Sequence, residues 1–158
     1  MNIFFLDPNP KTCAQFHCDQ HCVKMILETA QLLSTAHHQV GDSTLPELYK
    51  PTHINHPSNI WVRSSVDHYV WAYSLFTELL TEFEYRRNKT HASSRLIPSL
   101  RQMPSLPDKG FIDPPQCMPD EYKILGDTVG AYKKYYRGDK SRFASWKWGR
   151  TAPTWFTA

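Results

Sequence analysis

Long stretches of helical periodicity, separated by proline-bounded connections, set the plan of this chain. Residues 3–6, Ile-Phe-Phe-Leu, are continuously apolar and read as a short strand or an extended arm. Asp7, Pro8, Asn9 and Pro10 then supply helix-starting residues, and apolar positions recurring every three or four residues predict a helix to about His38, stopped by Gly41, Asp42 and Ser43. Residues 44–57 form a connection containing YKPTHINHP. Pro57 and Ser58 open a second long helix, to about Arg87, with Ile60, Trp61, Val66, Tyr69, Val70, Tyr73, Phe76, Leu79, Leu80 and Phe83 as its core face. A shorter helix is expected over His91 to Gln102, then a proline-rich stretch from Pro104 to Pro119 of the irregular kind that lines sites or wraps cores. Asp120 and Glu121 begin a short element, and Asp127 caps a last helix ending near Gly138. The pattern describes an all-α, predominantly helical protein: two long helices crossing near the HINHP loop, shorter helices laid over them, and long proline-rich loops. At 158 residues it is expected to form a single domain, residues 1–158.

Within the first helix, His17, His21, Lys24, Glu28, Gln31 and Thr35 follow one another by three or four residues. At about 100° per residue they fall on one narrow ridge. Cys18, Cys22, Met25, Ile26, Leu32 and Leu33 cover one flank of it; Phe16, Val23, Leu27 and Ala30 cover the other. Ionisable groups held against a core need partners or a ligand. A structural network with Lys24 paired to Glu28 meets that need. So does a site, because an amine, a carboxylate and two imidazoles on one face are what acid–base or amine-nucleophile chemistry requires. The density of the ridge favours the site.

The HINHP connection adds His53, Asn55 and His56 in a loop held between rigid elements. Arg63 follows it and either pairs with Asp67 or binds an anionic ligand beside His56. Glu82 and Arg86 form an i, i+4 pair near the end of the second helix.

The formal charge of +3 conceals an asymmetry. Lys133, Lys134, Arg137, Lys140, Arg142, Lys147 and Arg150 crowd the last 26 residues against Asp139 alone, leaving the preceding part of the chain net acidic. Tyr132, Tyr135, Tyr136, Phe143, Trp146, Trp148, Trp155 and Phe156 are interleaved with these cations, which offers charges for phosphate and flat faces for bases. Helical spacing of several of the aromatics turns at least half of them toward the core. Cys13, Cys18, Cys22 and Cys117 read as reduced thiols, since Cys18 and Cys22 are one helical turn apart and no secretory mark is visible. The His17/His21 and Cys18/Cys22 pairs point about 100° apart, so a metal site is not expected, nor is a cofactor. No apolar run is long enough to span a membrane, and the opening residues lack a signal peptide's basic start, so a cytoplasmic location is expected, the host cytoplasm if the protein is phage-encoded.

The stretches AQFHCDQHCVKMILE, YKPTHINHP, the helix from Ser58 to Arg87 ending EYRRNK, and the tail AYKKYYRGDKSRFASWKWGRTAPTW resemble, in order and kind, the endonuclease V-type pyrimidine-dimer DNA glycosylases of phages and some bacteria. The NHP loop and the MPDEYK segment, Met118 to Lys123, are similar to uncharacterised phage proteins. The resemblance implies a small all-helical DNA-binding hydrolase whose first helix bears the catalytic carboxylate, with an aromatic and basic C-terminus near the DNA. It implies attack on the sugar C1′ by a free N-terminal α-amine. Here Met1 precedes Asn2, a combination that generally retains the methionine and leaves a bulkier amine; Lys24, desolvated by its apolar neighbours, is the substitute nucleophile. Glu28 or Asp19 is then the carboxylate.

The sequence therefore points to an enzyme acting on nucleic acid or a nucleotide, cleaving an N-glycosidic bond. Lys24, Glu28 and His21 are the expected catalytic residues. His17, His53, Asn55, His56, Arg63, Lys133, Arg137 and Lys140 are the expected substrate- and phosphate-binding residues. The alternatives are a phage-encoded counter-defence protein that sequesters or degrades a nucleotide signal, and a zinc-dependent hydrolase.

Overall fold

The structure is a computed structural model, and it describes residues 1–41 and 43–157. Asp42, one of the expected helix stops, lies outside the described residues. The helices are α1 (Pro10–Phe16), α2 (Asp19–Gln39), α3 (Pro57–Val62), α4 (Val66–Arg87), α5 (Ile97–Leu100), α6 (Thr128–Arg137) and α7 (Thr154–Thr157). Tighter 3₁₀ turns cover Ala92–Leu96, Asp120–Tyr122 and Asp139–Arg142, and no strand occurs among the described residues. The fold is all-α. α2 and α1 both pack on α4, and residues 3–6 run as an extended arm through the core they enclose, each side chain buried.

The expected first helix is two helices. His17 and Cys18 adopt extended backbone, and the N–H of Asp19 donates to the Ser145 carbonyl. The carbonyls left open by this break are taken by Arg86, whose guanidinium donates to the oxygens of Gln15 and His17. Asn9 caps α1 by accepting from the Thr12 N–H, with Pro10 in the first turn.

The second long helix is also broken, at Arg63–Ser65. Ser64 Oγ donates to the Trp61 carbonyl, the Val66 N–H turns outward to Pro107, and Ser65 Oγ donates to Gly110. The proline-rich stretch thus replaces the helical hydrogen bonds lost at the break. Two residues placed on a common core face, Ile60 and Val70, are exposed. Leu27, expected on a buried flank of the first helix, is exposed as well. The helix expected over His91–Gln102 begins as a 3₁₀ turn and yields only the four residues of α5, whose Pro98 offers no N–H. Asp127 does cap α6, accepting from Gly130.

After α6 the chain returns as a strap across α1, α2 and α4. Trp146 Nε1 donates to the Phe16 carbonyl, the Lys147 N–H to Asp19 Oδ2, and Tyr85 Oη to the carbonyl of Gly149, which turns the strap at φ +83°. Arg150 grips Glu82 through two hydrogen bonds of 3.0 and 2.8 Å. Glu82 in turn pairs with Arg86, which also meets Asp19 at 3.1 Å, and all three of Glu82, Arg86 and Asp19 are buried. Burial pulls the Glu82 carboxyl upward, but hydrogen bonds from Arg150 and the charge of Arg86 hold it below the usual carboxylate range.

Candidate active site

An apolar run of four residues next to an N-terminus has a consequence for the amine ahead of it. Ile3, Phe4, Phe5 and Leu6 are buried, and Asn2 is tied down by its amide: Nδ2 donates to the Cys117 carbonyl at 2.8 Å, and Oδ1 lies 3.4 Å from Tyr132 Oη, whose proton goes to the Pro115 carbonyl at 2.7 Å. The α-amino nitrogen of Met1 is thereby held 3.1 Å from Oε1 of Glu28, on α2. The side chains of both residues are largely shielded, Glu28 being 15% exposed. Its second oxygen, Oε2, has no hydrogen-bond partner, and the nearest cation on that side is Lys24 Nζ at 3.8 Å. Oε2 is buried and faces Lys24 without a hydrogen bond, so the carboxylate lies between two amines and is placed to take a proton from the nearer one.

The HINHP loop is tied to α2 and to the helix that follows it. Asn59 Nδ2 donates to the carbonyls of Thr52 and His53, the Thr52 N–H donates to Thr35 Oγ1 on α2, and Arg63 Nη2 donates to the Ile54 carbonyl at 2.8 Å. Arg63 is therefore a strut of the loop, not a partner of Asp67, and its Nη1 is buried without a hydrogen bond. Burial lowers its pKa. His56 caps α3, its Nδ1 accepting from the Ser58 N–H, which leaves Nε2 to carry the proton of the neutral ring. Its pKa is lowered by burial, then by the charges of the Met1 amine and His53, with Glu28 opposing. His53 and Asn55 are exposed on the rim, His53 at φ +49° with Nδ1 2.7 Å from Thr52 Oγ1.

Apart from Lys24, the other predicted residues are placed elsewhere. His17 falls in the break between α1 and α2, off the ridge; its Nδ1–H donates to the Cys13 carbonyl at 2.7 Å while Nε2 is buried without a partner. Burial lowers its pKa to about 4. His21 stacks on Phe4 at 4.3 Å and shares a 2.6 Å hydrogen bond with Tyr136 Oη. Burial, followed by the charges of His17, Lys140 and Lys24, lowers its pKa to about 2, so the ring is neutral at pH 7. Lys24 is 63% exposed, which removes the desolvation expected to activate it. Lys133 Nζ lies over the rings of Phe16 and Trp155 at 5.5 and 5.4 Å, Arg137 donates to the Trp155 carbonyl, and Lys140 pairs with Asp139 at 3.1 Å beneath Tyr135. These three cations bind the aromatic shell of the C-terminus together.

All four cysteines are free thiols. Burial pushes Cys13 and Cys22 up to about 12. Among the described residues no group of three His, Cys, Asp or Glu side chains is gathered as a metal site, and no helix is long and apolar enough to cross a membrane. The site members that the ridge pattern did not supply are the Met1 amine and its anchors Asn2, Cys117 and Tyr132; their signal is the apolar run at residues 3–6, whose burial drags the N-terminus inward. Compared with known proteins, the chain matches no family model, and no curated protein or solved structure matches it.

Proposed function

We propose that the Met1 amine and Glu28 form the reactive centre of an enzyme that cleaves an N-glycosidic bond in nucleic acid or a nucleotide. One observation carries the reading: an α-amine fixed 3.1 Å from a largely buried carboxylate, on an arm anchored at the very next residue. In this reading Glu28 takes a proton from the ammonium, and the freed lone pair bonds to the sugar C1′ as the C1′–N bond breaks and the base departs with its electrons. The carboxylate also faces the oxocarbenium character of the sugar as that bond breaks. The α-amine is the nucleophile of this reading because the carboxylate that takes its proton also holds it, whereas Lys24 is solvent-exposed. Lys24, solvent-exposed beside the free Glu28 oxygen, contacts the phosphate, and neutral His56 donates from Nε2 to the substrate. His21 acts indirectly, holding Phe4 and with it the arm. The resemblance to pyrimidine-dimer glycosylases supports the same chemistry and makes a damaged base in DNA the first substrate to try.

The experiment is covalent trapping. The protein is incubated with ultraviolet-irradiated, uracil-containing and alkylated duplexes in the presence of borohydride, which reduces to a stable adduct the amine–sugar imine formed when the nitrogen lone pair breaks the C1′–O4′ bond and O4′ takes up a proton, and the adduct is mapped by peptide mass spectrometry. The expected result is base release with the adduct on Met1. An adduct on Lys24 moves the nucleophile. Absence of both adduct and base release across the panel, with nucleotide binding intact, replaces the enzyme with a sequestering protein.

A further inference from the structure

A cavity of about 590 Å³ opens between the first turns of α2 and the returning strap, and Lys24, which pairs with Glu28, is one of its walls. We propose that this cavity seats a nucleotide unit, an unpaired base together with its phosphate. The proposal rests on the reading of the centre given above and names what is held next to it. Its volume is within the range of small-molecule sites. Phe143 and Trp148 give it flat apolar walls, Lys24 and Lys147 give it cations, and Gln20 gives it an amide able both to donate and to accept at a base edge. Trp148 is 36% exposed, and the Arg87 guanidinium stacks 4.1 Å from its ring, adding positive charge at that wall.

The one acidic wall residue, Asp19, does not oppose an anion strongly. Its Oδ1 accepts from Arg86 and its Oδ2 from the Lys147 N–H at 2.6 Å, so its charge is matched from behind. The same bonds make the cavity a built one. The strap that carries Lys147 and Trp148 is pinned on one side by Asp19 and Ser145 and on the other by Tyr85 and Arg150, leaving little ordering to be done by a ligand. Lys24 Nζ, 3.8 Å from Glu28 Oε2, is the link between the cavity and the carboxylate.

The test is equilibrium binding of a fluorescein-labelled oligothymidylate to the wild-type protein and to Glu28→Gln, with thymidine monophosphate, thymidine and inorganic phosphate as competitors. Trp148→Ala and Lys147→Ser are each expected to weaken oligonucleotide binding about tenfold, and the monophosphate is expected to compete better than the nucleoside or phosphate alone. Both side chains are exposed, and thermal unfolding checks that the variants keep the fold. Competition by the free monophosphate assigns the seat to nucleotides in solution; oligonucleotide binding that the monophosphate does not displace, yet sensitive to both substitutions, assigns it to a strand. Either supports the seat. Binding that ignores both substitutions, or phosphate competing as well as the monophosphate, overturns it. The two readings fail separately: without base release the glycosidic reading falls while these affinities stand, and without sensitivity at Trp148 and Lys147 the seat falls whatever the turnover.

Discussion

The Met1 α-amino nitrogen and Glu28 Oε1, 27 positions apart in sequence, lie 3.1 Å from each other in the fold. The contact depends on the arm: residues 3–6 fill the core between the helices, and Asn2 spans the gap to Cys117 and Tyr132.

Glu28→Gln should reduce single-turnover base release by about 10²-fold or more, the range for loss of a positioned acid–base group. The fold should persist with a lowered melting temperature, since the amide keeps the shape and still accepts from the amine but no longer balances its shielded charge. Full activity in this variant assigns Glu28 to a structural pair.

Asn2→Leu, which keeps a bulky second residue and so keeps Met1, should slow the reaction by about tenfold or more while oligonucleotide affinity holds, because it removes the amide that anchors the arm without touching a phosphate contact. The informative measurement is kcat against KM. A change confined to KM removes Asn2 from positioning the amine.

Arg86→Ala should destabilise the protein by about 3–5 kcal/mol, since it leaves Glu82 and Asp19 buried with fewer partners and uncovers the Gln15 and His17 carbonyls. Urea unfolding at neutral pH reads it directly. A loss within the range of ordinary surface substitutions, about 0.5 kcal/mol, refutes the network as the clamp between α1, α4 and the strap.

Acid should unfold the protein through His17 and His21. Their folded pKa values lie at about 4 and about 2, below the usual 6.5, so only the unfolded chain takes up these protons as pH falls from 6.5 toward 4. Stability contributed by their neutral forms is complete above about 6.5 and declines below it, by about 1.4 kcal/mol per pH unit for each proton. His21→Phe should lower stability at pH 7 and remove about one proton from the slope between pH 6 and 4. An unchanged slope places the acid transition elsewhere.

Much of the architecture is a local property of the sequence. Pro10 and Asn9 at the start of α1, Asp127 ahead of α6, and the three-and-four apolar spacing of α2 and α4 act over single turns, so the all-helical class, the helix order and the cap residues are legible without any tertiary contact. The Lys24–Glu28 pair is equally local, being one turn of α2. The breaks at His17–Cys18 and at Arg63–Ser65 are not local: they persist because distant groups, Arg86 and Ser145 in one case and Pro107 and Gly110 in the other, satisfy the backbone that the helix gives up. Those breaks decide which polar residues share a face, taking His17 off the ridge and turning Arg63 into a strut for the loop. The amine–carboxylate contact is of the same kind. Sequence periodicity carries Glu28 to one face of α2, but only burial of the arm, a gain shared among all the helices that enclose it, brings Met1 there.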